Sequence, residues 1–181
     1  RNKNVIRTAY IYSSVLKLCS VSVKISVTDE GSGVKSVQYQ INDGEWHSGY
    51  GVTVDENCKI RFKATDSWGN VSYFSYTVDN IDKTAPELVI SGNPENWSCS
   101  DVTLSAAVAD NLSGIKSVQY SYDNKTWLEG KNVIVTGNCT VYFKATDILG
   151  NTGSEIVVVD KIDKVAPVIS NVKSDITTAT N

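Results

Sequence analysis

The feature that most constrains this chain is a nine-residue run that occurs twice, as Phe62-Lys63-Ala64-Thr65-Asp66-Ser67-Trp68-Gly69-Asn70 and as Phe143-Lys144-Ala145-Thr146-Asp147-Ile148-Leu149-Gly150-Asn151. The copies stand 81 residues apart, and Val78-Asp79-Asn80-Ile81-Asp82-Lys83-Thr84-Ala85-Pro86 recurs at the same spacing as Val159-Asp160-Lys161-Ile162-Asp163-Lys164-Val165-Ala166-Pro167. A fixed period of this length marks a tandem array, so function has to be read from one repeat and from the joint between repeats. The 181 residues hold two such repeats with little left over. The boundaries read as 1–82 for a first repeat with an atypical N-terminal edge, 83–163 for a second, and 164–181 for the start of a truncated third or a polar tail.

Within each repeat the pattern is that of strands. Val21-Ser22-Val23-Lys24-Ile25-Ser26-Val27 alternates apolar and polar residues, the period of a half-buried strand, and Val102 to Val108 is its counterpart. Each run ends at a polar turn, Asp29-Glu30-Gly31-Ser32-Gly33 or Asp110-Asn111-Leu112-Ser113-Gly114. Asn42-Asp43-Gly44 between two apolar runs is a hairpin signal. In Cys139-Thr140-Val141-Tyr142-Phe143-Lys144-Ala145, alternation sends Val141, Phe143 and Ala145 to one face and the lysine to the other. About seven short strands per repeat and no convincing helix predict an all-β chain of two tandem Ig-like or fibronectin-III-like antiparallel β-sandwich domains. The antibody-type hallmarks are missing, since Trp46 follows Cys19 by 27 residues.

The four cysteines fall as one pair per repeat, Cys19 with Cys58 and Cys99 with Cys139. Matched pairs some 40 residues apart fit intradomain disulfides, with buried free thiols as the alternative. Metal binding is disfavoured, because there is no C-x-x-C spacing and His47 is the only histidine. Two disulfides imply an oxidising, extracytoplasmic setting. A net charge of −3 without like-charge runs argues against nucleic acid and anionic membranes as partners, and no apolar run is long enough to span a bilayer. With no Met and no signal peptide, the chain reads as a piece of a longer protein.

The set "D-x-x-SG-(V/I)-K-S-V-Q-Y … W … FKATD-x-x-GN … V-D-x-I-D-K-x-A-P" resembles the bacterial Ig-like repeats of large secreted and cell-surface proteins, over about residues 5–167. The resemblance implies sandwich modules in series, serving as stalks and spacers in adhesins or as accessory domains of secreted enzymes. It places the chain outside the cell or at its surface, with neighbouring repeats of the same protein as its partners. The alternative function is a binding module that recognises a glycan or a host surface protein through its loops. Trp68, at a loop tip where the other repeat has Leu149, is the candidate contact.

Catalysis has little to stand on. His47 is matched by Leu128, so no Ser–His–Asp set recurs, and Asp29/Asp110 and Asp66/Asp147 sit among turn residues that favour Asx-type hydrogen bonding over a glycosidase pair. The chain is therefore expected not to be an enzyme. A sharper idea is calcium at the joint. In a seven-stranded sandwich the loop after the second strand, the loop before the last, and the incoming linker share one pole. That gathers Asp82, Asp110, Asp147 and Asn151, the oxygen-rich set that calcium requires. The competing reading has Asp110 and Asp147 as turn caps and Asp82 solvated. The first repeat has Asp29, Asp66 and Asn70 but Ile6 where the linker aspartate belongs, so its site is expected to be absent or weaker.

Overall fold

A computed structural model describes residues 8–11, 16, 17, 19–171 and 173. The N-terminal stretch containing Ile6 and the residues from 174 onward lie outside the described residues. Fourteen strands are present and no helix is found among the described residues. They are β1 (Thr8–Ile11), β2 (Val21–Ser26), β3 (Val34–Ile41), β4 (His47–Ser48), β5 (Gly51–Val54), β6 (Cys58–Asp66), β7 (Val71–Val78), β8 (Glu87–Ser91), β9 (Val102–Ala109), β10 (Ile115–Ser121), β11 (Leu128–Glu129), β12 (Asn132–Val135), β13 (Cys139–Asp147) and β14 (Thr152–Val159). The chain divides into two compact units. The first is Arg1–Glu87 with Ala109–Ser117 and Ala145–Gly153; the second is Leu88–Val108, Val118–Lys144 and Ser154–Asn181.

In the first repeat a three-stranded sheet, β1-β2-β5, faces a four-stranded sheet, β4-β3-β6-β7. Their neighbours run antiparallel, with Val23 opposite Val52, Tyr39 opposite Phe62 and Phe62 opposite Phe74. The alternation read in the sequence is the alternation of burial. Val21, Val23 and Ile25 of β2 and Ile60, Phe62 and Ala64 of β6 point into one core with Val37, Val54, Val78 and Ile81. One bulge at Lys35 shifts the register between β3 and β6. The second repeat follows the same plan, with sheets β12-β9-β8 and β11-β10-β13-β14. Leu104, Val141 and Phe143 are fully buried there, beside Val102, Ala106, Val133, Val135 and Val159. Both repeats are all-β antiparallel sandwiches. The hairpin after β3 differs in detail from the simple Asp-Gly signal: Asn42 and Asp43, not Gly44, take the left-handed conformation, with φ of 47° and 58°. Asn and Asp tolerate that region because their short polar side chains hydrogen-bond locally.

Candidate functional site

The residues Asp82, Asp110 and Asp147 come together, with one carboxylate oxygen from each within 4.8 Å of the other two. All three belong to the first compact unit, as do Ser113 and Asn151. Each carboxylate is positioned by its own turn. Asp110 follows β9 directly, and its Oδ1 accepts from the backbone N–H of Leu112 at 3.1 Å and of Gly114 at 2.6 Å. Gly114 sits at φ +82°, a conformation open to glycine without strain. Asp147 ends β13, and its Oδ1 accepts from the N–H groups of Gly150 at 2.5 Å and Asn151 at 2.8 Å. Its Oδ2 accepts from Asn151 Nδ2 at 2.7 Å and from the Ser113 hydroxyl at 3.0 Å. Asp82 is 2% exposed and forms an Asx turn of its own, taking the Thr84 N–H on Oδ1 at 3.0 Å. Its Oδ2 accepts the Ser113 N–H at 3.0 Å, and its backbone carbonyl accepts Asn151 Nδ2 at 3.2 Å.

Three features set the electrostatics. Asp147 has no exposed surface. Burial pushes its carboxyl up, but the hydrogen bonds from Asn151, Ser113 and Gly150 outweigh that and hold it below the usual carboxylate range. Asp110 keeps one oxygen, Oδ2, buried and without a hydrogen bond. Three carboxylates this close repel one another in any medium, and more so away from water. Asn151 presents its amide nitrogen, a donor, to both Asp147 and the Asp82 carbonyl, so its place is to hold the cluster rather than to face a cation with that group. Ser113, which the sequence reading passed over, is the hub. It donates to Asp82 through its N–H and to Asp147 through its hydroxyl. Its one sequence signal is recurrence, as Ser32, at the 81-residue spacing.

In the first repeat the equivalent turn is half furnished. Asp66 accepts from Trp68 N, Asn70 N and Asn70 Nδ2 at 2.9, 2.8 and 2.7 Å, and Asp29 caps Gly33 at 2.6 Å. The Asn70 side chain is the main cause that lowers the Asp66 pKa. The position that would supply a third carboxylate, Ile6, lies outside the described residues. Trp68 stands at the tip of this turn with 85% of its surface exposed.

A second constellation closes the other end of each repeat. The side chain of Asn57 brackets Ile81, donating to its carbonyl at 2.8 Å and accepting its N–H at 2.9 Å, while Lys17 forms a parallel bridge to the same residue. Asn138 accepts the N–H of Ile162 at 2.8 Å, and Ser98 bridges Ile162 in parallel. Cys58 and Cys139 each follow one of these asparagines, and Cys99 follows Ser98. All four cysteines are nevertheless free thiols in the structure, so neither Cys19–Cys58 nor Cys99–Cys139 is bridged in it; Cys19 and Cys99 are exposed, Cys58 and Cys139 half-buried. Burial, helped by Glu56, raises the Cys58 thiol pKa, and burial alone raises that of Cys139. His47 is exposed on β4 with its ring 5.5 Å from Tyr39.

No family model matches the chain, and no curated protein matches it. Among solved structures, that of the amphioxus IgVJ-C2 molecule aligns with 80% of this chain and 99% of its own, at 10% identity and a TM-score of 0.39.

Proposed function

We propose that the chain is a structural spacer of a bacterial extracellular or cell-surface multidomain protein, either adhesin-like or accessory to a secreted enzyme, with calcium bound at Asp82, Asp110 and Asp147. The observation that carries this reading is the burial of the linker residue Asp82. A linker that served only as a tether would leave its aspartate in water. Here the carboxylate is taken up by Ser113 and the carbonyl by Asn151. In the second repeat the loops that a binding module would use are spent on holding the chain. A hard divalent cation offsets the repulsion of three clustered carboxylates and takes oxygen ligands of this kind. Calcium bound only to the folded state stabilises it by about 2.7 kcal/mol when free calcium is roughly a hundredfold above Kd.

Thermal unfolding in millimolar calcium and then in chelator tests the reading. The expected result is a melting rise of roughly 10 °C with calcium. Asp82→Asn and Asp110→Asn should each remove most of that rise while costing little in chelator, because each also removes a like charge from the cluster. An unchanged melting curve would sink the calcium assignment. The spacer role is read separately, by placing the chain between a surface anchor and a reporter. Accessibility of the reporter to a bulky probe should grow with the number of inserted repeats.

The pairs Cys19–Cys58 and Cys99–Cys139 belong to the same proposal as disulfides formed in an oxidising compartment. Alkylation of the protein purified from a periplasmic or secreted source, without reductant, should leave all four cysteines unlabelled. Full labelling of the folded protein would overturn both pairings.

A further inference from the structure

The two repeats share a lysine over a tryptophan. Lys63 Nζ lies 4.6 Å from the Trp46 ring centre, and Lys144 Nζ lies 4.2 Å from that of Trp127. This couple recurs and belongs to the scaffold. The first repeat adds to it. Tyr73 of β7 stands directly opposite Lys63 of β6, and its ring centre is 6.2 Å from that of Trp46, the planes tilted by 54°. The Arg61 guanidinium carbon lies 5.6 Å from the Tyr73 ring centre. In the second repeat the positions of Tyr73 and Arg61 are held by Ser154 and Tyr142, so the addition is not required by the fold.

The result is two adjoining rings, Trp46 and Tyr73, flanked by a cation at each end, Lys63 and Arg61, on the outer face of the sheet β4-β3-β6-β7. Tyr73 is 58% exposed and Trp46 is half-buried. Aromatic faces tilted apart offer apolar platforms for the C–H faces of sugar rings, while guanidinium pairs with carboxylate in planar, two-point fashion. Arg61 is free to do so. Its contact with Asp43 is 3.5 Å long between side chains that are 38% and 71% exposed, a pairing worth little in water. From this array we infer that the outer face of the first repeat binds an acidic oligosaccharide, its sugar rings on Trp46 and Tyr73 and its carboxylates on Arg61 and Lys63. Single-stranded nucleic acid also uses rings and cations, but it needs a long basic track, and this chain has a net charge of −3.

The test uses the whole chain with three probes: a galacturonic acid hexamer, cellohexaose and oligo-dT, each followed by tryptophan fluorescence and by amide shifts. The acidic hexamer should bind and perturb β4, β6 and β7, with cellohexaose weaker by roughly tenfold or more. Tyr73→Ser and Arg61→Tyr, which install the residues of the second repeat, should each weaken the hexamer by about tenfold without lowering the melting temperature. Lys144→Ala should leave affinity unchanged. Absence of hexamer binding at about 10 mM, tighter binding of oligo-dT, or equal loss with Lys144→Ala would each overturn the inference.

Discussion

Asp147→Ala should lower the melting temperature by roughly 10 °C or more in chelator, and by more still in calcium, where it also removes a ligand of the proposed ion. The side chain is fully buried and accepts four hydrogen bonds, from Gly150 N, Asn151 N, Asn151 Nδ2 and Ser113 Oγ. Alanine removes the acceptor they share. The Asn151 N–H loses its bond, and Asn151 Nδ2, Ser113 Oγ and Gly150 N keep only longer bonds, to the Asp82 carbonyl at 3.2 Å, to Asp110 Oδ1 at 3.4 Å and to the residue 147 carbonyl at 3.3 Å. Poorly paired donors in a part-buried turn cost more than the bonds themselves gain. Asp66→Ala removes a carboxylate from the same turn in the first repeat, but its partner Asn70 is exposed and water can replace what is lost. Its effect should be clearly smaller. Equal drops would mean that the Ser113 contact adds nothing to the turn.

The same residue sets an acid limit. A carboxylate whose folded pKa lies below its unfolded value makes the unfolded chain bind more protons between the two, so stability rises with pH across that interval. Asp147 and Asp66 are both shifted downward. Their contribution is whole above the ordinary carboxylate range and is lost as pH falls through the folded values. Melting temperature should therefore fall below about pH 4, and Asp147→Ala should show a shallower fall than the parent chain.

How far the sequence could be read depends on what kind of constraint each residue answers to. Strand alternation depends on neighbours two residues away, so Val21-Val23-Ile25 and Val141-Phe143-Ala145 announce their buried faces directly. The gathering of Asp82, Asp110 and Asp147 could be reasoned from strand directions alone, since a seven-stranded sandwich fixes which loops share an end. Finer pairing was not legible. Nothing local in Ser113 says that its N–H meets Asp82 across 31 positions, and nothing in Asn57 says that it clamps Ile81 across 24. These bonds depend on the register between loops, which periodicity does not encode. The donor role of Asn151 is hidden for the same reason, because an amide offers both a donor and an acceptor and only its neighbours choose between them. Repetition is the one signal that reaches such residues: Asn57 and Asn138, like Ser32 and Ser113, recur at the period of the fold.

Phe143→Ala should destabilise the chain by about 3–5 kcal/mol, the cost of a large cavity in a core that cannot collapse around it. Phe143 is fully buried on β13 between Val141 and Ala145, which are fully buried as well, with Leu104 of β9 and Val135 of β12 also closed to solvent. A domain of this size has a total stability of roughly 5–10 kcal/mol, so the substitution removes a large share of it. The neighbouring Tyr142 points the other way and is half-buried, so Tyr142→Ala should cost about 1 kcal/mol or less. Urea unfolding of both variants measures the difference, and hydrogen exchange locates it: amides of β9, β12 and β13 should lose protection in Phe143→Ala. Exchange is the needed second readout because a chain of two compact units need not unfold in one step. Phe62→Ala is the matched experiment in the first repeat, where protection should be lost from β2, β3 and β6 instead. A phenylalanine that costs no more than its outward neighbour would mean that β13 faces the other way. The lysine now over Trp127 would then have to enter the core, a burial of unpaired charge that no domain this small could offset.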